Sequence, residues 1–151
     1  MKKPVIAQLL IAATTAVLIA NAERKPPSLT QSTSGGPIAW TDSLEAAKRT
    51  AAREQKLLFV DFSAAWCGPC QKMLRTTYRD ERVAARMKSF VPVLIDVDKQ
   101  PALAKKYDVS AIPAAVFLDA EGNVVQRAVG YHDAAAFLKV ADAALKKDSG
   151  K

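Results

Sequence analysis

The sequence predicts an α/β fold: a single domain with a central mixed β-sheet and helices on both of its faces. Three observations predict it. Leu57 to Phe62 is apolar except for Asp61, a run suited to a strand covered on both sides rather than to an alternating surface strand. Strand-like and helix-like segments alternate through the earlier part of the chain, the pattern of parallel strands joined by helices. Later, two β-rich runs flank Asp119-Ala120-Glu121-Gly122-Asn123, the signal of an antiparallel hairpin.

In order, Ile38-Ala39-Trp40 reads as a short strand. Asp42 or Ser43 then caps a helix to about Gln55, with Leu44, Ala47, Ala51 and Ala52 on its apolar face. The strand from Lys56 to Ser63 follows. It leads into a helix that begins at the two cysteines and runs to about Tyr78. Asp80 to Lys88 extends it, with Val83, Ala84 and Met87 at helical spacing. Phe90 to Val97 is the next strand. Pro101 opens a short helix through Tyr107, since proline suits a first helical turn. The hairpin strands are Ala114 to Asp119 and Asn123 to Val129. Asp133 caps a last helix to about Lys146, burying Phe137, Leu138, Ala141 and Leu145. The expected order is β-α-β-α-β-α-β-β-α.

The domain so defined covers residues 38–147. Residues 1–22 read as an export signal: Lys2 and Lys3, an apolar run from Pro4 to Ala20, then the small-x-small pattern Ala20-Asn21-Ala22, with cleavage after Ala22. The same run is long enough to remain as a membrane anchor, which keeps an anchored form as the alternative. Residues 23–37, rich in Ser, Thr, Pro and Gly, read as a flexible linker, and 148–151 as a disordered tail. The formal charge is +7, and +5 once Lys2 and Lys3 are removed with the signal. Six basic residues between Cys67 and Phe90 (Lys72, Arg75, Arg79, Arg82, Arg86, Lys88) read as a solvated helix face, or as a rim for acidic partners. They are dispersed and lack aromatic stacking partners, so no nucleic-acid partner is expected.

Trp66-Cys67-Gly68-Pro69-Cys70 holds both cysteines of the chain. Two thiols with this spacing at a helix start can close and reopen a small disulfide. The unpaired N–H groups and positive dipole of the helix end favour a thiolate there. A structural staple would gain little, because so short a loop removes little unfolded-state entropy. A zinc site would need about four ligands, and only His132 joins the two thiols, so no metal and no cofactor is expected. Cys67, first after the strand, is the expected solvent-facing nucleophile. Cys70, one turn deeper, is the resolving thiol that closes the disulfide on Cys67 and releases reduced client. Pro69 stiffens the first turn at little cost. Asp61, an acid inside an apolar strand, would prefer its protonated form and could exchange a proton with Cys70; the other reading is a hydrated or capping strand-end aspartate.

Residues 59–70, Phe-Val-Asp-Phe-Ser-Ala-Ala-Trp-Cys-Gly-Pro-Cys, resemble the active-site segment of the thioredoxin family. Ile112-Pro113 and Gly130 fall where that family has its cis-proline and late glycine. Trp40, Glu45-Ala46-Ala47 and Met73 are similar to exported thioredoxin-like domains, including the C-terminal domain of DsbD-type electron transporters. The resemblance implies a thioredoxin fold and a cis Pro113 lying against the dithiol. It also implies backbone hydrogen bonds from Ile112 to an extended substrate, and a substrate groove formed with Trp66, Gly68, Pro69 and Gly130. Asp61 matches the family's buried aspartate. Two departures stand out: Ser63 where the family often has tryptophan, and Leu94 where a lysine commonly neighbours that aspartate. The implied activity is a periplasmic protein-disulfide reductase, a monomer acting on disulfide-containing client proteins, apocytochrome c among them. An inner-membrane donor of DsbD type would supply its electrons. The competing functions are a disulfide-forming oxidant or isomerase, and a non-catalytic thiol-binding or copper-chaperone module.

Overall fold

A computed structural model of the protein describes residues 36–150. The expected signal, and the linker up to residue 35, lie outside the described residues, as does Lys151. Four strands form one mixed sheet in the order β2-β1-β3-β4: β1 Leu57–Ser63, β2 Phe90–Asp96, β3 Ala114–Leu118 and β4 Val124–Val129. β1 runs parallel to β2 and antiparallel to β3, and β3 and β4 make the expected hairpin. Gly122 turns that hairpin with φ of +95°, and Asp119 accepts the Asn123 N–H at 2.8 Å.

Helices lie on both faces. On one face, α1 (Leu44–Glu54) and α4 (Pro101–Lys106) pack Leu44, Ala47, Ala51, Leu103 and Ala104 with Leu58, Val60 and Phe62. On the other, α2 (Gly68–Arg75), the 3-10 turn Thr77–Arg79, α3 (Glu81–Met87) and α5 (Ala134–Ser149) cover Phe59 and Phe117. That is why all seven residues of β1 are buried and no alternation is visible in its sequence. Trp40, Phe59, Tyr78, Phe117 and Phe137 form one aromatic cluster, Phe59 to Phe137 being 5.1 Å between ring centroids. Edge-to-face pairs of this kind add attraction beyond area burial, and the cluster anchors the 3-10 turn to the sheet.

Four expectations are corrected. Ile38-Ala39-Trp40 is not a strand: Ile38 and Trp40 are buried in the core, and Thr41 alone bridges Val93 beside β2. The extension expected through Asp80 breaks. Thr76 leaves helical geometry, its Oγ1 donating to the Lys72 carbonyl at 2.8 Å, and the Asp80 carboxylate starts α3 afresh by accepting the Arg82 N–H at 2.9 Å. Ala52 is exposed rather than on the apolar face of α1. The last helix continues to Ser149, so Asp148 and Ser149 belong to α5 and not to a tail. Ser43, not Asp42, is the cap of α1, accepting the Ala46 N–H at 3.3 Å. Among the described residues, no helix is long and apolar enough to cross a membrane.

Candidate active site

β1 ends at Ser63, and the chain turns through Ala64-Ala65-Trp66 into α2 at the carboxyl end of the parallel strands, where reactive groups gather in α/β folds. Cys67 is the N-cap of α2, its sulfur accepting the Cys70 N–H at 3.3 Å, and Pro69 occupies the first turn, where a missing N–H costs nothing. Cys67 and Cys70 are joined by a disulfide, with Cα atoms 5.3 Å apart. Cys70 is fully buried. Cys67 does not face solvent as expected: only 4% of it is exposed, because Ala64, Val97 and Ile112 close around the disulfide.

The peptide bond between Ile112 and Pro113 is cis, as the family resemblance implies. Ile112 packs against the disulfide cluster, and Gly130 donates its N–H to the Pro113 carbonyl at 2.8 Å. Gly130 has φ of +90° with open space around its Cβ position, so the backbone and not crowding calls for glycine there. Trp66, 70% exposed, and Ile112 line one groove of about 340 Å³ with Val97, Ala104, Val109, Ser110 and Ala111. Gly68 and Pro69 lie exposed at the start of α2. Neither they nor Gly130 line this groove.

Asp61 is buried and neutral-leaning. Removal from water raises its pKa to about 7, against the lowering influence of the Tyr78 hydroxyl, which donates to Asp61 Oδ1 at 3.0 Å. Leu94 is its partner across the β1–β2 pair, so that neighbour brings no charge to it. α2 covers the same face of β1. Met73 packs with Phe59, and Cys70, three residues earlier, is on the same side of the helix.

Two residues of the site escaped the sequence reading. Tyr78 reads in the sequence only as a helix end, although a buried tyrosine hydroxyl needs a partner and Asp61 is a buried acid on the same face. Asp98 accepts the Trp66 indole N–H at 2.8 Å. Because β1 and β2 are parallel neighbours, the segments just beyond their ends meet, and this could have been inferred from topology. Replacing Asp98 with alanine frees the indole. We expect faster Trp66 motion in time-resolved fluorescence anisotropy and a stability loss below about 1 kcal/mol, since the bond is exposed. The basic residues after Cys67 are largely solvated: Arg82 pairs with Asp80, Arg86 with Asp142, and Lys72 lies 4.5 Å over the Tyr131 ring.

Comparison with known proteins agrees with this geometry. The thioredoxin-like family model matches residues 39–120, just over half of the chain. A thioredoxin of Chlamydia trachomatis is 38% identical over 84 residues, covering 56% of this chain and 78% of its own. The thiol:disulfide interchange protein DsbD of Ralstonia nicotianae is 35% identical over 100 residues, covering 63% of this chain but 16% of that much longer protein. The solution structure of a thioredoxin from Thermus thermophilus superposes with a TM-score of 0.66 at 27% identity, over 74% of this chain and 92% of the other. The family model spans more than half of the sequence, and the chain belongs to the thioredoxin-like family of thiol:disulfide oxidoreductases.

Proposed function

We propose that the protein is an exported protein-disulfide reductase that works in the periplasm and takes electrons from an inner-membrane donor of DsbD type. The observation that carries the reading is the Cys67–Cys70 pair at the start of α2 with the cis Ile112–Pro113 bond beside it. In this reading the Cys67 thiolate attacks one sulfur of a client disulfide. The client's S–S bond breaks, one client thiolate leaves, and a Cys67–client mixed disulfide forms. Cys70 gives its proton to Asp61 and attacks Cys67 Sγ. The second client thiolate departs, and the two electrons have passed to the client. The helix start favours the Cys67 thiolate through its N–H groups and dipole.

Trp66, Gly68, Pro69, Ile112, Pro113 and Gly130 form the client face in this reading. Neither the N–H nor the carbonyl of Ile112 bonds another backbone group among the described residues, which leaves both free to pair with an extended client. The reducing direction is supported by Gly68-Pro69 between the cysteines and by the 38% identity to a thioredoxin. Export is supported by the charged, apolar and small-residue order of residues 1–22, with removal after Ala22, and by the likeness to DsbD. Apocytochrome c is a client that fits such a compartment. The protein acts as a monomer in this reading.

The reduction potential tests the direction. Equilibration in defined thiol buffers, followed by alkylation of free cysteines, should give a value near the thioredoxin level, about −270 mV. A value near about −120 mV would instead make the protein a disulfide donor.

A further inference from the structure

β1 carries a second buried polar group on the face that holds Asp61. Ser63, two residues on, points the same way, and its Oγ has no protein hydrogen-bond partner; neither has Asp61 Oδ2. Buried polar atoms without protein partners call for an explanation, and an ordered water is a common one. Beside Ser63 lies a pocket of about 150 Å³, lined by Ser63, Ala64, Ala65, Gln71, Leu74, Leu94 and Asp96. Its rim includes exposed Ala65 and half-exposed Gln71 and Asp96, and Gln71 is fixed there by donating Nε2–H to the Ala64 carbonyl at 3.1 Å. A water takes about 30 Å³ of liquid volume and needs two to four polar partners, which the serine hydroxyl, Gln71 and Asp96 can supply.

We propose that this pocket is the proton inlet of the site: waters held by Ser63 Oγ, Gln71 and Asp96 connect solvent to Asp61 Oδ2, and Ser63 is the relay between them. The inference rests on the dithiol exchange proposed above and adds the route by which its proton travels. When Cys70 gives its proton to Asp61 and attacks Cys67 Sγ, the client sulfur leaves with the electron pair of the broken S–S bond. The proton on Asp61 then passes through Ser63 and the pocket to solvent, from which the client thiolate is protonated. Reduction of the Cys67–Cys70 disulfide runs the same path inwards. The groups that face Asp61 agree with this. The Tyr78 hydroxyl holds Oδ1, Leu94 and Ala115 flank Asp61 on the neighbouring strands, and Oδ2 keeps no protein partner; Ser63, two residues on along the same strand, lines the pocket.

A proton route alters rates in both directions and leaves the equilibrium untouched, which separates it from a merely structural role. The test is stopped-flow reduction of the Cys67–Cys70 disulfide by dithiothreitol at pH 7, together with the reduction potential. Ser63→Val, which removes the hydroxyl and narrows the pocket, should slow the reaction at least about tenfold with the potential unchanged. The slowing should vanish in an Asp61→Asn background, where no carboxyl is left to serve. Ala65→Phe, a surface change that covers the rim without entering the core, should do the same and stands in if Ser63→Val does not fold. A wild-type rate in the folded variants, or a slowing that persists with Asp61→Asn, would overturn the inlet. Insulin reduction by the unaltered protein is measured alongside: its absence would count against the proposed reductase, not against the inlet.

Discussion

Replacing Asp61 with asparagine is expected to raise the melting temperature of the oxidised protein by roughly 15 °C at pH 8 and to change it little at pH 4. The carboxyl is fully buried, and its proton affinity is raised from 3.8 to about 7, chiefly by loss of hydration. A group whose pKa is raised on folding favours the folded state while it is protonated in both states. That contribution is fully present below about pH 4 and is lost as the pH climbs through about 7. The difference corresponds to about 4 kcal/mol at pH 8. Asparagine stays neutral throughout and can still accept from the Tyr78 hydroxyl, so the variant should lack the loss between pH 4 and 8. Melting curves across that range decide it. Equal curves for both proteins would mean that the carboxyl does not titrate from a buried position.

The second large effect concerns the cysteines. Cys67→Ser should lower insulin reduction by on the order of a thousandfold or more, since a serine hydroxyl is a far weaker nucleophile than a thiolate. Cys70→Ser should behave differently. The first attack still takes place, but no second thiol releases the client, and mixed disulfides should accumulate on non-reducing gels. Burial agrees with this order: Cys67 keeps a little surface and Cys70 none. Retained turnover in Cys67→Ser would move the nucleophile elsewhere, and no trapped client in Cys70→Ser would remove the resolving role.

Much of this architecture was legible because local and global signals coincide. The apolar run of β1, the Asp133 cap of α5 and the glycine turn at Gly122 each have one dominant physical reading, and each is found in place. The misses came where two readings compete. Ile38 and Trp40 are apolar enough for a strand, yet they serve the core from an irregular segment. The helix past Arg75 has continuous apolar spacing, but Thr76 and Asp80 can bond backbone groups with their own side chains and break it. Cysteine spacing identified the disulfide and could not reveal how tightly Ala64, Val97 and Ile112 enclose it. Tyr78 and Asp98 lie 17 and 32 residues from the groups they bind, a distance that only the folded topology closes.

The small exposed fraction of Cys67 has a consequence for chemical selectivity. A cysteine with 4% of its surface open offers a poor target to peroxide or other diffusing oxidants, which react by collision. Any exchange at the pair needs the wall formed by Ala64, Val97 and Ile112 to admit the reacting sulfur. The enclosure therefore slows reactions that depend on a chance encounter with the sulfur more than those in which the reacting group is held in place at the site.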